Sequence, residues 1–305
     1  MNLAPIVIFT YNRLYTLQQL VSSLKQCYLS EESELYIFSD GPKNVMDDES
    51  IKHIRAYIIK ITGFKKVTSF NFDKNLGLAN SIIGGVTKMF ENFDSVIVLE
   101  DDLQVSKNFL QYMNDSLPYF KNEKRVFSIS GYNIPMSESL NYKYYTYLTF
   151  RASSWGWASW RDRWQTIDWE VKDFKQFRNN PEKIRAFNRA GSDMFGMLKR
   201  QQQGKINSWA IRWCYHQYKN NYYSVYPIVS KIKNGGFNEM ASNSNSYNRY
   251  DSKLDNGSQM NFKFPPKLEE NEELLTLFKS FYNIRSRVKG RIKTFLYLRG
   301  WLNNK

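Results

Sequence analysis

Ser95-Val-Ile-Val-Leu-Glu-Asp-Asp102 is an apolar run that ends in three adjacent carboxylates. Four consecutive aliphatic residues without polar alternation read as a strand buried on both faces, as in a parallel sheet covered by helices. Immediately upstream, residues 78–93 carry a helical apolar period, and residues 66–72 alternate like a strand. Further back, residues 47–61 form a helix with Asp47, Asp48 and Glu49 in its first turn, where the helix dipole favours acids. Residues 35–39 are a strand stopped by Asp40-Gly41-Pro42, residues 14–27 a helix, and residues 5–10 an apolar strand. Downstream follow a helix over 106–120 and a strand over 126–130. Four βα steps with short connections predict an α/β fold, with a mostly parallel central sheet and helices on both faces. Such sheets bind ligands beyond the carboxyl ends of their strands. The residues placed there are Asn12 and Arg13, Asp40, Asn75 and Gly77, and Glu100-Asp101-Asp102.

From Tyr142 onward the texture changes. Five of the eight tryptophans fall between Trp155 and Trp169, helical patterns cover 181–200 and 207–220, and residues 223–231 read as a strand. Residues 234–261 are rich in Asn, Ser and Gly, as loops or mobile segments are, and a last helix spans about 268–283. Net charge is +14, and residues 284–305 supply half of it, with seven Lys or Arg and no acid. Cys27 and Cys214 lie far apart, without metal-ligand spacing, which points to a reducing compartment. No basic-then-apolar leader opens the sequence and no window reaches the ~20 apolar residues of a membrane span, so a soluble, cytoplasmic body is expected. The sequence has no G-x-x-x-x-G-K-[ST], G-x-G-x-x-G or H-E-x-x-H, so P-loop ATPase, Rossmann dehydrogenase and zinc-protease classes have no support.

Three adjacent carboxylates at a strand end repel one another and call for a counter-charge. A divalent cation bridging to diphosphate oxygens meets that need; the alternative is an acidic turn before the next helix. Asp40 suits the imide N–H and ribose hydroxyls of a pyrimidine nucleoside, or forms a plain Asp-Gly-Pro turn. Arg13 offers a fork of donors to diphosphate, or is a solvated helix-start residue. At Asn75-Leu76-Gly77 the glycine permits close backbone approach to a ribose, or the segment merely enters a helix.

Phe9-Thr-Tyr-Asn-Arg13, Phe38-Ser-Asp-Gly41, Asn75-Leu-Gly77 and Leu99-Glu-Asp-Asp102 resemble, in order and spacing, the motifs of GT-A nucleotide-sugar glycosyltransferases. The Glu-Asp-Asp form is similar to the N-acetylglucosaminyltransferase I type. Ser154-Trp-Gly-Trp-Ala-Ser-Trp-Arg-Asp-Arg-Trp164 and Asn207-Ser-Trp-Ala-Ile-Arg-Trp213 resemble bacterial transferases of surface-polysaccharide assembly. The likeness covers about residues 5–237. It implies a GT-A, Rossmann-like catalytic domain over 1–237, with a nucleotide-binding half (1–133) and an acceptor half (134–237). A loop or mobile segment (238–267) and a basic, amphipathic helical extension (268–305) follow.

By the same resemblance Arg13 and Asp40 hold the nucleotide with Thr10, Asn75 and Gly77 beside it, Asp101 binds the ribose, and Asp102 binds Mn²⁺ or Mg²⁺. UDP-sugar is the favoured donor. Glu100, Trp155, Gly156, Trp157 and Trp209 are assigned to the sugar and acceptor side; flat rings match pyranose faces, although half of these rings are expected in an aromatic core. An inverting transferase needs a base for the acceptor hydroxyl. Related enzymes take it from Trp-Asp-Asp-Trp, but Trp209-Ala-Ile-Arg-Trp213 lacks the acids, leaving Asp193 first and Asp162 second. Relatives often carry a late His after a site such as Gly235-Gly236-Phe237, where this chain has Asn238, Glu239 and Asn243. Metal binding then rests on Asp102 and the diphosphate, or on Glu239 as well.

In the tail, Ile284, Val288, Ile292, Phe295 and Leu302 are interleaved with basic residues, the pattern of an interfacial helix. The expected protein is a metal-dependent transferase on the inner face of the cytoplasmic membrane. It would act on a saccharide or lipid-linked acceptor in capsule, O-antigen or related polysaccharide assembly, with no nucleic-acid partner. The alternatives are a non-catalytic carbohydrate-binding protein and a sugar-nucleotide nucleotidyltransferase.

Overall fold

The computed structural model describes residues 3–136, 141–236, 247–299 and 301–302. The first half follows the expected alternation: β1 (Ile6–Thr10), α1 (Leu14–Lys25), β2 (Glu34–Ser39), α2 (Asp48–Ile58), β3 (Lys66–Asn71), α3 (Leu78–Met89) and β4 (Ser95–Glu100). There follow β5 (Leu103–Val105), α4 (Phe109–Phe120), β6 (Val126–Ser130), β7 (Thr146–Thr149), β8 (Trp157–Trp160) and α5 (Arg161–Trp164). The remainder is α6 (Phe174–Phe177), α7 (Pro181–Phe187), α8 (Met194–Gln202), α9 (Trp209–Lys219), β9 (Tyr223–Pro227), β10 (Ile232–Asn234), α10 (Glu272–Tyr282) and α11 (Ile284–Leu298).

The central sheet runs β3-β2-β1-β4-β8-β6-β9-β7, and β5 pairs with β10 in a small second sheet. Strands β3, β2, β1 and β4 are parallel, whereas β8 is antiparallel to both β4 and β6. Alternate residues of each buried strand feed opposite faces. Ile6, Ile8, Ile97 and Leu99 join the core under α1 and α4; Val7, Phe9, Val96 and Val98 join the core under α3 and α9. Helix α1 presents Leu17, Leu20, Val21 and Leu24 to the first core, one apolar face at helical spacing.

The second half departs from expectation at several points: β7, α5 and α6 lie where no element was expected, and the helix over 181–200 is two, α7 and α8, parted between Phe187 and Met194. Trp157-Ala-Ser-Trp160 is a central strand, β8, and the strand over 223–231 ends at Pro227 before a turn into β10. Residues 247–271 contain no helix or strand beyond one bridge at Leu254, yet they are fastened to the body. The fastening is Asp255, whose carboxylate accepts from buried Lys231 Nζ (2.5 Å), Asn108 Nδ2 (3.1 Å) and Gly257 N (2.7 Å). Asn271 caps α10, accepting from Leu274 N at 2.9 Å, and α10 buries Leu274, Leu275, Phe278 and Tyr282. Helix α11 buries none of its residues.

Candidate active site

Because β1 and β4 are parallel neighbours, with Phe9 opposite Glu100, their polar carboxyl ends open side by side. Buried Asp101 is held from β1: Oδ2 accepts from Thr10 Oγ1 (2.9 Å) and Tyr11 N (3.4 Å), and Oδ1 accepts from Arg13 Nη2 (2.5 Å). The other arm of the same guanidinium donates from Nη1 to Asp102 Oδ2 at 3.2 Å. Thus Thr10, Arg13, Asp101 and Asp102 come together as expected. The two aspartates hold the Arg13 pKa above its ordinary value although burial works the other way. Burial, with the charges of Asp102 and Asp101, pushes the Glu100 carboxyl up to about 8 against the opposing pull of Arg13.

Asp102 Oδ1 is buried without a partner. Its backbone oxygen accepts from Gly235 N at 2.7 Å, and a Cβ on Gly236 would stand 2.5 Å from Asp102 Oδ2. The turn after β10 therefore needs glycine to close over this carboxylate. A buried anionic oxygen with no donor fits a hard cation, whose remaining ligands would come from phosphate and water. Among the described residues no three His, Cys, Asp or Glu form a metal cluster, and Glu239 lies outside those residues.

Asp40, at the end of β2, is buried and works as a backbone strut. Oδ1 accepts from Leu76 N (2.8 Å) and Oδ2 from Gly77 N (3.0 Å), while Asn75 Nδ2 donates to Gly41 O (3.0 Å). Gly77 takes φ +74, ψ 151 at the start of α3, a conformation essentially reserved for glycine. Asp40, Asn75 and Gly77 are thus one unit beside the acidic edge. A third cluster escaped the sequence reading: Asp47 accepts from Tyr11 Oη (2.6 Å) and Asn12 Nδ2 (2.9 Å). Burial and this bond push the Tyr11 phenol up to about 12. The available signal was the polar pair Tyr11-Asn12 directly after β1; Asp47 read only as a helix-start acid.

The tryptophan assignments need correction. Trp157 is 1% exposed and Trp209 3%, and both pack on Trp213, at 4.5 and 5.2 Å between ring centroids. They are core residues with no face left for a sugar. Gly156 also serves internal packing, since at φ +59 a Cβ there would stand 2.6 Å from Ile232 Cδ1. Trp155 alone of the assigned rings reaches a cavity. It packs edge-on with Tyr132 (4.7 Å) and Tyr250 (5.6 Å), beside a space of about 330 Å³ that Arg151, Ser153 and Met194 also line.

Arg151, missed in the sequence, donates Nη1 and Nη2 to the two carboxylate oxygens of Asp193, each at 3.0 Å. Its guanidinium lies 4.3 Å from the Tyr282 ring centre, and Ser192 N and Oγ both donate to Tyr282 O at 3.1 Å. At Gly191 a Cβ would collide with Arg151 Nη1, 2.5 Å away. Burial alone would raise the Asp193 carboxyl, but Arg151 outweighs it and holds the pKa below the usual range. Asp193 is therefore ionised, next to the cavity. Asp162 is excluded as a base by topology. Antiparallel β8 sets Trp160 opposite Ser95, so Asp162 sits at the start of β4, the opposite end from Glu100. There it is 52% exposed and paired with Lys124 and Arg163.

No curated protein matches the chain. Solved structures with a similar course include S. aureus TarS (14% identity, TM-score 0.32, covering 47% of this chain and 25% of that one). Others are a Pyrobaculum calidifontis mannosyltransferase in complex with GDP-Man and Mn²⁺ (9%, 0.36, 52% and 44%) and mouse xyloside xylosyltransferase 1 in apo form (9%, 0.37, 72% and 82%). The chain thus spans less than half the length of the first two. Residues 6–194, from the first residue of β1 to just past Asp193, match the glycosyl transferase family 2 description. That span takes in the acidic edge, the Asp40 strut and the Arg151–Asp193 pair, and it is well over half of the chain: the protein belongs to glycosyl transferase family 2 and has its α/β, GT-A-type fold.

Proposed function

We propose that this transferase moves a sugar from a nucleotide-sugar donor, UDP-sugar in preference, to a saccharide acceptor, with a divalent cation at Asp102. The observation that carries the reading is the buried, partnerless Asp102 Oδ1 beside the Arg13 fork at the open end of β1 and β4. Membership of a transferase family supports this reading over the binding-protein and nucleotidyltransferase alternatives. When bound, Mn²⁺ or Mg²⁺ neutralises charge building on the leaving diphosphate. Arg13 supplies fixed positive charge at the same place, and Asp101 orients it. Asp40 keeps the Asn75–Gly77 turn closed against the nucleoside. On the other side, Trp155 offers a ring to the acceptor sugar, and Asp193, ionised and oriented by Arg151, is the group proposed to take the hydroxyl proton. The acceptor is proposed to be a lipid-linked glycan of bacterial surface-polysaccharide assembly, met on the inner face of the cytoplasmic membrane. Support for membrane contact comes from α11, where exposed Ile284, Val288, Ile292 and Phe295 alternate with basic residues. No helix among the described residues is long and apolar enough to cross a membrane.

Thermal melting with nucleoside diphosphates, with and without Mn²⁺, tests the reading. UDP with Mn²⁺ should raise Tm by several degrees at about 100 Kd. Asp102→Asn should lose the metal-dependent increment and at least ~100-fold in turnover while melting normally without ligand. Undiminished metal dependence in that variant would remove Asp102 from the role.

A further inference from the structure

A groove of about 660 Å³ separates α11 from the body of the protein. Its walls bring four cations from three chain segments to one space: Lys233 of β10, Arg249, and Lys289 and Lys293 of α11. Among the described residues the only carboxylate lining it is Asp251, which pairs with Lys233 at 3.3 Å. The cations are set in place by design of the surroundings. Arg249 Nη2 donates to Ser286 Oγ (3.2 Å) and Phe281 O, and its guanidinium stacks 4.6 Å from the Phe281 ring centre. Lys293 Nζ stands 4.8 Å from the centre of the Tyr247 ring. Gly290 weakens the middle of α11 relative to alanine, but a Cβ there would press on Arg249 Cδ at 3.1 Å. The helix gives up intrinsic stability where the arginine crosses it.

Two boundaries of the groove decide what enters it. One wall is Asn234-Gly235, and Gly235 N is bonded to Asp102 O, so the groove begins at the acidic edge. The other wall is α11. At 100° per residue, Lys293 projects from the side away from the stripe Ile284, Val288, Ile292 and Phe295, and Lys289 from its flank. With that stripe at the acyl boundary, the lysines stand among the headgroups.

We infer that this groove binds the phosphate or diphosphate of a lipid-borne acceptor, whose hydrocarbon chain passes beneath α11 and whose sugar reaches the Asp102 edge. The inference rests on the proposed transferase reading and names the chemistry of its acceptor: an anionic phosphate ester on a long-chain alcohol. Lys233 is matched by Asp251, but Arg249, Lys289 and Lys293 add three positive charges that suit a diphosphate, and a neutral glycan would leave those three without a carboxylate lining the groove among the described residues.

The test is vesicle sedimentation of the whole protein. Phosphatidylcholine vesicles carry no addition, a polyprenyl phosphate, or phosphatidylglycerol matched in charge. The protein should prefer polyprenyl phosphate over both others. Lys289→Ala with Lys293→Ala should weaken that binding about thirtyfold, with the Tm shift by UDP and Mn²⁺ unchanged. Equal binding to phosphatidylglycerol would show a general anionic surface and overturn the inference. So would pyrophosphate binding as tightly as the lipid, or loss of the UDP shift in the double variant, which would give the groove to the donor. Absence of any UDP shift in the unaltered protein would instead count against the transferase reading and leave the vesicle result standing.

Discussion

The acidic edge and the tryptophan segment sit at neighbouring strands and are built on opposite principles. At the edge, charged groups are buried and nearly all paired: Asp101 with Thr10 and Arg13, Asp102 with Arg13, Asp40 with two backbone N–H groups. One fully buried oxygen of this edge, Asp102 Oδ1, has no partner. In the tryptophan segment the large rings fill space. Trp157 stacks on Trp164 at 5.6 Å and meets Trp209 and Trp213, closing the core on one face of β8. The difference teaches that residue type near a site does not assign function; a charged oxygen left without a partner at the open end of the sheet does. The edge keeps a partnerless carboxylate oxygen, whereas the tryptophan core leaves only the neutral Trp213 indole N–H without a partner and Trp155 places a ring at a cavity.

That contrast breaks most readily with Trp157→Ala. Loss of a fully buried ring should cost about 3–5 kcal/mol, lowering Tm sharply. Trp155→Ala should instead leave Tm near its starting value and raise the acceptor KM about tenfold with little change in kcat. If Trp157→Ala melted normally and Trp155→Ala unfolded, the division between core and site would be reversed.

Below the same core lies His216, buried against Phe127 (5.4 Å between rings) and bonded to Thr166 Oγ1 at 3.2 Å. Burial first, then Lys219, pulls its pKa down to about 4 from an ordinary 6.5. Between those values the unfolded chain binds a proton that the native state refuses, so stability falls as pH drops from about 6.5 to 4, by up to ~3 kcal/mol. Urea titration at stepped pH should show this fall, and His216→Gln should flatten the part of it that His216 causes. The smallest effect belongs to the edge. Gly77→Ala meets open space but must hold φ +74 with ψ 151, at about 1–3 kcal/mol. It should also weaken nucleotide binding, because Gly77 N is the donor to Asp40 Oδ2.

The alternation of strands and helices through residue 130 was legible, apart from the three-residue β5, because the other elements there announce themselves locally, by period and by stop residues such as Asp40-Gly41-Pro42. Arg13, Asp101 and Asp102 were legible for the same reason, since they follow two apolar strands directly, whereas Thr10, the last residue of β1, entered only through the family resemblance. Strand β8 was not. It is four residues long, and its pairing partners Ser95–Val98 and Ile129–Ser130 are remote in sequence. Nothing in Trp157-Ala-Ser-Trp160 distinguishes a wall from a strand. Nor does any local pattern join Arg151 to Asp193, 42 positions apart. Asp162 qualified as a base by residue type alone, and one antiparallel pairing removes it.

The position of β8 has a consequence for synthesis on the ribosome. Strand β4 is complete at Glu100, but its free edge is covered only by residues Trp157–Trp160. At about 5–20 residues per second, the roughly 60 intervening residues leave that edge open for about 3–12 s. An apolar strand with unpaired N–H and C=O groups is a template for other nascent chains. Yield in a fast-translating host should therefore depend on what shields Ser95–Glu100 while the tryptophan strand is still being made.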